Sequence, residues 1–426
     1  INQFRLDYQW LSDHIVSHAL AADEKTYLCG CPSYDDTPRR GREGMVCEEA
    51  SPDIFYGQMK SLYSIAKMRG HDFLFVNAWN EWAEGSHLEP DLRYGYAYLK
   101  SVKDALEESD DLHTNIIEKQ VKHNKQKGLC NHFYVFCIES MGDIVASEPI
   151  SRYLKQLDTN CKLTWIVKPQ YKPIVEFNPN IDDIIEVECL NSGEKICSEL
   201  RKKECNIIVD THFDGRWCSK TKIQHRNNNN VIVNEKTYFY FESLLGSFCL
   251  SAGLPILNAA PRFYLNSNSK IPENIPEKYV VIHCLSAEST KDWEKQKWNE
   301  LINEIIALGY AVVEVGIKPV VTVRSKFYID KTDERDLQLI ARIIEKAKCF
   351  IGIDSGFAHF ANALNVPGVL IFGKYKNFDF PMSYTGNYAN GINSEIIYAD
   401  HDFAKTVSVE NVFSAFKRVM GKMIEI

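Results

Sequence analysis

Residues 350–373 read FIGIDSGFAHFANALNVPGVLIFG. An apolar run ends in Asp354-Ser355-Gly356, a helical stretch begins at once, and a second apolar run follows from Pro367 to Gly373. Strand, small polar turn, helix and strand make one unit of a parallel α/β sheet. The first turn of such a helix carries free N–H groups and the positive end of the macrodipole, and Gly356 lets a ligand approach the backbone. Each dipole–charge contact contributes roughly 0.3–2 kcal/mol and each charge-assisted hydrogen bond about 1.5–3 kcal/mol, so a few together hold a diphosphate. A simple helix cap by Asp354 or Ser355 fits the same spacing. His359, one turn into the helix, fits a core position as well as a ligand contact.

The pattern extends in both directions. From residue 132 onward strands and helices alternate: YVFCI, KLTWIV, DIIEV and NIIVD, then a Pro- and Asn-rich break at 258–279, then YVVIHCL, YAVVEVG, KCFIGID and GVLIFG. Two doubly wound halves form a cleft between the carboxyl ends of their strands, where ligands of open α/β sheets bind. The reading divides the chain into 1–106, a charged linker at 107–129 that suits a solvated linker or a helix, a first half at 130–265 and a second at 270–426. Asn227–Asn230 reads as a loop.

With 426 residues, more than one core is expected. A net charge of −8 argues against nucleic-acid partners held by counterion release. The 13 cysteines are scattered, without a CxxC pair, and fit reduced thiols better than a zinc site or a disulfide framework. No metal and no cofactor is expected. The most apolar candidate for a membrane span, FESLLGSFCLSAGLPIL, carries Glu242, Gly246 and Pro255 and is too polar for that role. A cytoplasmic protein is expected, with room for peripheral contact at the inner face of a membrane. The chain opens on Ile1 in mid-pattern, which reads as a fragment lacking upstream sequence.

Two more turns face the same cleft. After YVVIHCL, the segment SAESTKDWEKQKWNELI places Ser289, Thr290 and Lys291 at a strand's carboxyl end, and lysine is a usual point-charge partner for phosphate. A solvated turn is the alternative, given Glu288, Asp292 and Glu294. After YVFCI, Gly142-Asp143 marks a tight turn into a helix. A carboxylate there serves either as a general base or as an N-cap.

Residues 132–415 resemble glycosyltransferase family 9, the ADP-heptose:lipopolysaccharide heptosyltransferases, on MGDIVASEPISRYLK, LTWIVKPQYKPIVEFNPNIDDIIEV, STKDWEKQKWNELI and above all GIDSGFAHFANALNVPGVLIFG. The resemblance implies a GT-B pair of Rossmann-like domains and inverting transfer without an essential metal. It implies Asp143 as the base, Ser289, Thr290 and Lys291 on donor phosphate, the backbone at Ser355, Gly356 and Phe357 with His359 around the diphosphate, and Asp354 on the donor sugar. Partners would be a nucleotide-sugar donor and a glycan or lipid-linked glycan acceptor. Two features depart from the pattern: Glu294-Lys295 replaces a common Trp-Pro pair, and the segment after YAVVEVG lacks a Gly-Gly.

The stretch FLFVNAWNEWAEGSHLEPDLRYGYAYL sets Glu81 and Glu84 at the end of what reads as a buried strand. Carboxylates at strand ends of a barrel suit glycoside chemistry. A surface helix start with Trp79 and Trp82 packed beneath it fits equally. This block, with DDTPRRG, resembles the C-terminal end of WbsX-like proteins related to glycoside hydrolase family 99. The resemblance implies a partial (β/α)8-barrel segment and puts Glu81 and Glu84 on the acid/base pair, as a vestigial site. Three functions follow as expectations: a glycosyltransferase, a bifunctional protein with a sugar-processing barrel, or a non-catalytic sugar-nucleotide binder.

Overall fold

The computed structural model describes residues 4–23, 25–112, 116–227, 233–241, 243–286, 288–375, 382–399 and 402–422. Of the positions singled out above, 113–115 of the charged stretch, Asn228–Asn230, Glu242, Ala287 and the last four residues lie outside these.

The amino-terminal segment contributes β1 (Phe4–Asp7), β2 (Cys29–Gly30), β3 (Met45–Glu48) and β4 (Phe75–Val76), followed by a small antiparallel pair, β5 (Asn80–Glu81) and β6 (Ser86–His87). β1 pairs in parallel with β3 and β2 with β4, giving separate two-stranded sheets rather than one continuous wall among the described residues. The helices Tyr8–Ala21 and Pro52–Met68 pack against them, burying Tyr8, Phe55, Met59, Leu62 and Ile65. The stretch FLFVNAW does not form the buried strand expected of it. Only Phe75–Val76 is extended into a strand, and Phe73 and Phe75 are 62% and 55% exposed. A two-stranded pair with no second layer on that face cannot cover them.

Residues 116–126 take the helical of the two readings of the charged stretch. Ile117 and Val121, four residues apart, fall on one face of it and are buried. Gly253 gives that helix room: a Cβ there would come within 3.2 Å of Ile116. Tyr153 Oη donates to the Glu118 carboxylate on the other side.

Next comes a parallel sheet of β7 (His132–Phe136), β8 (Lys162–Val167), β9 (Asp183–Glu186) and β10 (Asn206–Asp210), ordered β10-β7-β8-β9. These are the strands read from the sequence: β7, β8 and β10 are buried on both faces and make near-continuous apolar runs, and the edge strand β9 shows only its Ile184–Ile185 pair. The second sheet holds β11 (Tyr279–His283), β12 (Ala311–Val315), β13 (Tyr328–Lys331), β14 (Cys349–Ile353), β15 (Gly368–Phe372) and β16 (Ser394–Tyr398), all parallel and ordered β13-β12-β11-β14-β15-β16. The edge strands β13 and β16 were not read from the sequence. Both are short, half-covered and polar, as edges are.

Chain order reverses between β7 and β10 in the first sheet and between β11 and β14 in the second. Such reversals splay the connecting loops apart and open a crevice at the carboxyl ends. The 258–279 break is fixed to both halves. The Glu148 carboxylate accepts from Arg262 N–H (2.9 Å) and Tyr264 Oη (3.2 Å), while Gln338 Nε2 donates to the carbonyls of Pro173 (2.6 Å) and Tyr264 (3.3 Å).

Ile117→Ala is expected to destabilise the first half by about 2–4 kcal/mol, the usual range for truncating a buried Ile. A lowered urea midpoint in the first unfolding transition checks it.

Candidate functional site

Both switch points deliver their loops to one place. Gly142, in the Met141–Ala146 helix after β7, lies against Gly356, which opens the Gly356–Ala363 helix after β14. A Cβ on Gly356 would sit 2.5 Å from Met141 Cε and 3.2 Å from Gly142 N, and one on Gly142 would sit 2.8 Å from His359 Cδ2. The two halves therefore meet through two glycines, and no other residue type permits that approach.

The capping explanation of the Asp-Ser-Gly turn does not hold. Ser355 is the N-cap residue, yet its Oγ makes no capping bond and is buried without a hydrogen-bond partner. The Asp354 carboxylate turns away to Lys291, with Oδ2 2.5 Å from Nζ. The Ser355 Oγ at the start of this helix and the hydroxyl of Tyr384, whose ring packs on His359 one turn further in, are both buried without hydrogen-bond partners. Buried polar atoms without partners destabilise by about 1–3 kcal/mol each, and an anionic ligand would satisfy them.

Lys291 comes from the Ser289–Lys291 turn after β11. Its Nζ also lies 4.0 Å from the centroid of the Tyr375 ring. Burial works against its charge, but the Asp354 carboxylate outweighs that and raises its pKa. Ser289 and Thr290 are exposed at the rim. Phe357 is buried with its ring against His283 (centroids 4.9 Å), so only its backbone faces the crevice. Burial pushes His359 down to about 4, with Lys291 adding to the effect and Asp354 opposing it, so its imidazole is neutral at pH 7. Its ring packs 4.7 Å from that of Tyr384.

Across the contact, burial pushes the Asp143 carboxyl up to about 6, against the pull of the Arg216 guanidinium and the Ser140 hydroxyl. Arg216 follows β10 and stands 3.6 Å from Glu139 and 3.7 Å from Glu235. A carboxylate poised near neutrality beside a fixed cation matches what a general base requires. Sequence reasoning missed Arg216, Tyr375 and Tyr384. Arg216 was within reach, since THFDGRW follows NIIVD at a strand's carboxyl end; Tyr375 and Tyr384 arrive from loops with no local signal.

The amino-terminal carboxylates are arranged differently. Glu81 is exposed, and Glu84 pairs with Arg39 of the DDTPRRG stretch (2.7 Å). The Asp35 N–H donates to the Glu84 carbonyl (2.7 Å), so the two quoted motifs touch. Trp79 and Trp82 do not pack underneath; they are 52% and 50% exposed. Trp82 instead stacks on His87 (3.7 Å) beside a cleft of about 1040 Å³ that Tyr34, Asp35, Asp91 and Tyr94 also line.

Two parallel sheets whose strand-end turns meet at Gly142 and Gly356 are the GT-B glycosyltransferase arrangement. Residues 250–412 match the model of glycosyltransferase family 9 (heptosyltransferase), and residues 1–102 match that of glycosyltransferase WbsX. The chain thus carries a segment similar to each. Lipopolysaccharide heptosyltransferase 1 of Campylobacter coli is 22% identical over 340 residues, spanning 67% of this chain and 97% of that protein. The uncharacterized protein WxcX of Xanthomonas campestris pv. campestris (strain B100) is 40% identical over 88 residues, 20% of this chain, and the match spans only 13% of WxcX. Among solved structures, the family 9 glycosyl transferase from Veillonella parvula DSM 2008 superposes with a TM-score of 0.51 at 15% identity, over 68% of this chain and 97% of that one. The E. coli ADP-heptose lps heptosyltransferase II gives 0.50 at 15%, over 68% and 99%. These likenesses establish the fold of the two halves.

Asp143→Asn is expected to raise stability at pH 7. A carboxyl with a raised folded pKa holds its proton to higher pH in the folded state than in the unfolded chain. Its ionisation therefore removes stability as pH climbs from 3.8, its ordinary value, to about 6. The gain should be on the order of 1–3 kcal/mol at pH 7 and should vanish below pH 4. Thermal unfolding of both proteins across pH checks it.

Proposed function

We propose that residues 132–415 form an inverting glycosyltransferase that takes a nucleoside-diphosphate sugar, with an ADP-heptose-like donor as the leading candidate. The acceptor would be a bacterial lipopolysaccharide or surface polysaccharide. The observation that carries the reading is the uncapped helix terminus at Ser355-Gly356, with Lys291 beside it, facing the elevated carboxyl of Asp143.

In this reading Asp143 takes the proton from the acceptor hydroxyl as its oxygen attacks the anomeric carbon from the face opposite the diphosphate. The bond to the departing phosphate oxygen breaks as the new glycosidic bond forms, which inverts the centre. Charge growing on the diphosphate is met by Lys291 and the free N–H groups of the 356–363 helix, a role filled in other enzymes by a divalent cation. Lys291 would exchange its Asp354 partner for phosphate, leaving that carboxylate for donor-sugar hydroxyls. Neutral His359 offers a hydrogen bond without a second charge. Direct contact of the halves at Gly142 and Gly356 excludes water from the reacting atoms. Work at the inner face of the membrane, where lipid-linked acceptors are built, is part of the same proposal. Among the described residues no helix is long and apolar enough to cross a membrane.

A second reading concerns the amino-terminal segment. The contact between DDTPRRG and NEWAEG beside the Trp82–His87 stack favours a sugar-processing site there, within a barrel to which Glu81 and Glu84 belong.

Calorimetric titration with ADP, GDP, UDP and CMP tests the donor site. Micromolar binding of one diphosphate, weakened at least tenfold in Lys291→Ala, is expected (about 1.4 kcal/mol or more); no binding to any of them would sink the reading. Asp143→Asn should lower turnover by about 10²–10⁴ with little change in diphosphate affinity. Wild-type kcat should rise with pH through about 6 and then level off, because only the ionised carboxylate accepts the proton.

A further inference from the structure

Behind Asp143 lies a buried polar network at the other side of the same switch point. Asp210 ends β10, directly opposite Phe136 of β7. Its Oδ1 accepts from His212 N–H (3.0 Å) and His212 Nδ1 (2.8 Å), and its Oδ2 accepts from His225 Nε2 (2.8 Å). Asp210, His212 and His225 are 2%, 3% and 5% exposed. Because Nδ1 donates, His212 has only Nε2 left to accept, and the Ile138 N–H donates to it at 3.4 Å. Ile138, fully buried, opens the turn that runs through Glu139 and Ser140 to Asp143.

That turn needs holding. Ser140 has φ of 22°, a region disfavoured for any residue with a Cβ. On the far side, His225 N–H donates to the Arg216 carbonyl (2.7 Å), so the network also anchors the residue whose guanidinium stands beside Asp143. Asn227 Nδ2 ties the carbonyls of His212 (2.8 Å) and Ser251 (3.0 Å) behind it.

We propose that His212, oriented by Asp210 and His225, is a positioning residue for the transfer reaction: its Nε2 fixes the Ile138–Asp143 turn, and the same network fixes Arg216 against it. The proposal rests on the reading of Asp143 as the base. The three side chains also place possible ligand atoms within 4.8 Å of one another, close enough for a metal ion. A cation on His212 Nδ1 would move the ring proton to Nε2, where it would oppose the Ile138 N–H donor to donor. The hydrogen bonds as they stand favour the positioning role.

The test compares wild type, His212→Asn and Asp143→Asn in the full chain. Asn keeps a donor near the Nδ1 position and removes the acceptor for Ile138. Amide hydrogen exchange in peptides covering 137–145 is expected to quicken by about tenfold or more in His212→Asn, with the rest of the first half unchanged. Turnover should fall by about 10–100-fold while the KM for donor and the diphosphate affinity stay within about twofold. Unchanged exchange at 137–145, unchanged kcat, or faster exchange spread evenly through the first half would overturn the proposal. So would stoichiometric zinc or iron in the purified protein that is lost in His225→Ala. Full turnover by Asp143→Asn would remove the base assignment, and the exchange result would still judge the positioning. If His212→Asn fails to fold, Asp210→Asn removes the charge that sets the tautomer at nearly constant shape and is read the same way.

Discussion

The meeting of two strand-to-helix turns at Gly142 and Gly356 is the constraint on which the rest depends. Each turn closes a switch point in its own sheet, and each must present backbone rather than side chain to the other. A methyl group at Gly356 would strike Met141, and one at Gly142 would strike His359. With both absent, the turn that carries Asp143 and the first turn of the 356–363 helix lie in direct contact. Placement of reacting groups is where much of the rate of the proposed transfer would originate.

Electrostatics follow from that closeness. Removing water raises Asp143, lowers His359 and strengthens the attraction between Lys291 and Asp354. The outcome is an alternation of sign: a carboxyl near its midpoint, a cation, a second carboxylate and a neutral imidazole. In the proposed transfer, each would serve one stage of moving a sugar from diphosphate to hydroxyl. The unsatisfied Ser355 Oγ and Tyr384 hydroxyl mark where that arrangement is incomplete without a ligand.

The amino-terminal segment and the charged stretch after it both attach to the first half. Residues 116–126 join the first half through an apolar face, Ile117 and Val121. The segment before them adds exposed polar contacts such as the Lys236–Asp13 ion pair, which contribute little to stability, to an apolar cluster that runs from Val16, Phe55 and Met59 into Ile117, Val121 and Phe133. Aromatic residues such as Trp79 and Trp82 stay on its surface.

Much was legible in the sequence, and for a physical reason. Strands covered on both faces must be apolar throughout, so β7, β8 and β10 of the first sheet and β11, β12, β14 and β15 of the second could be read directly, while the edge strand β9 was read on its Ile184–Ile185 pair alone. Asp143, Lys291 and Asp354 stood out because open parallel sheets put polar turns where strands end. Edge strands β13 and β16 escaped because half-covered strands carry only a weak signature, and the charged outer face of residues 116–126 left linker and helix both open. What only the tertiary structure decided was pairing across long separations: that Asp354 turns to Lys291 instead of capping its helix, that Arg216 stands beside Asp143, and that Asp210, His212 and His225 close into one network. Local sequence fixes the residues a turn contains, but the partner of a side chain is whatever packing brings opposite it, and that is settled only when both sheets are in place.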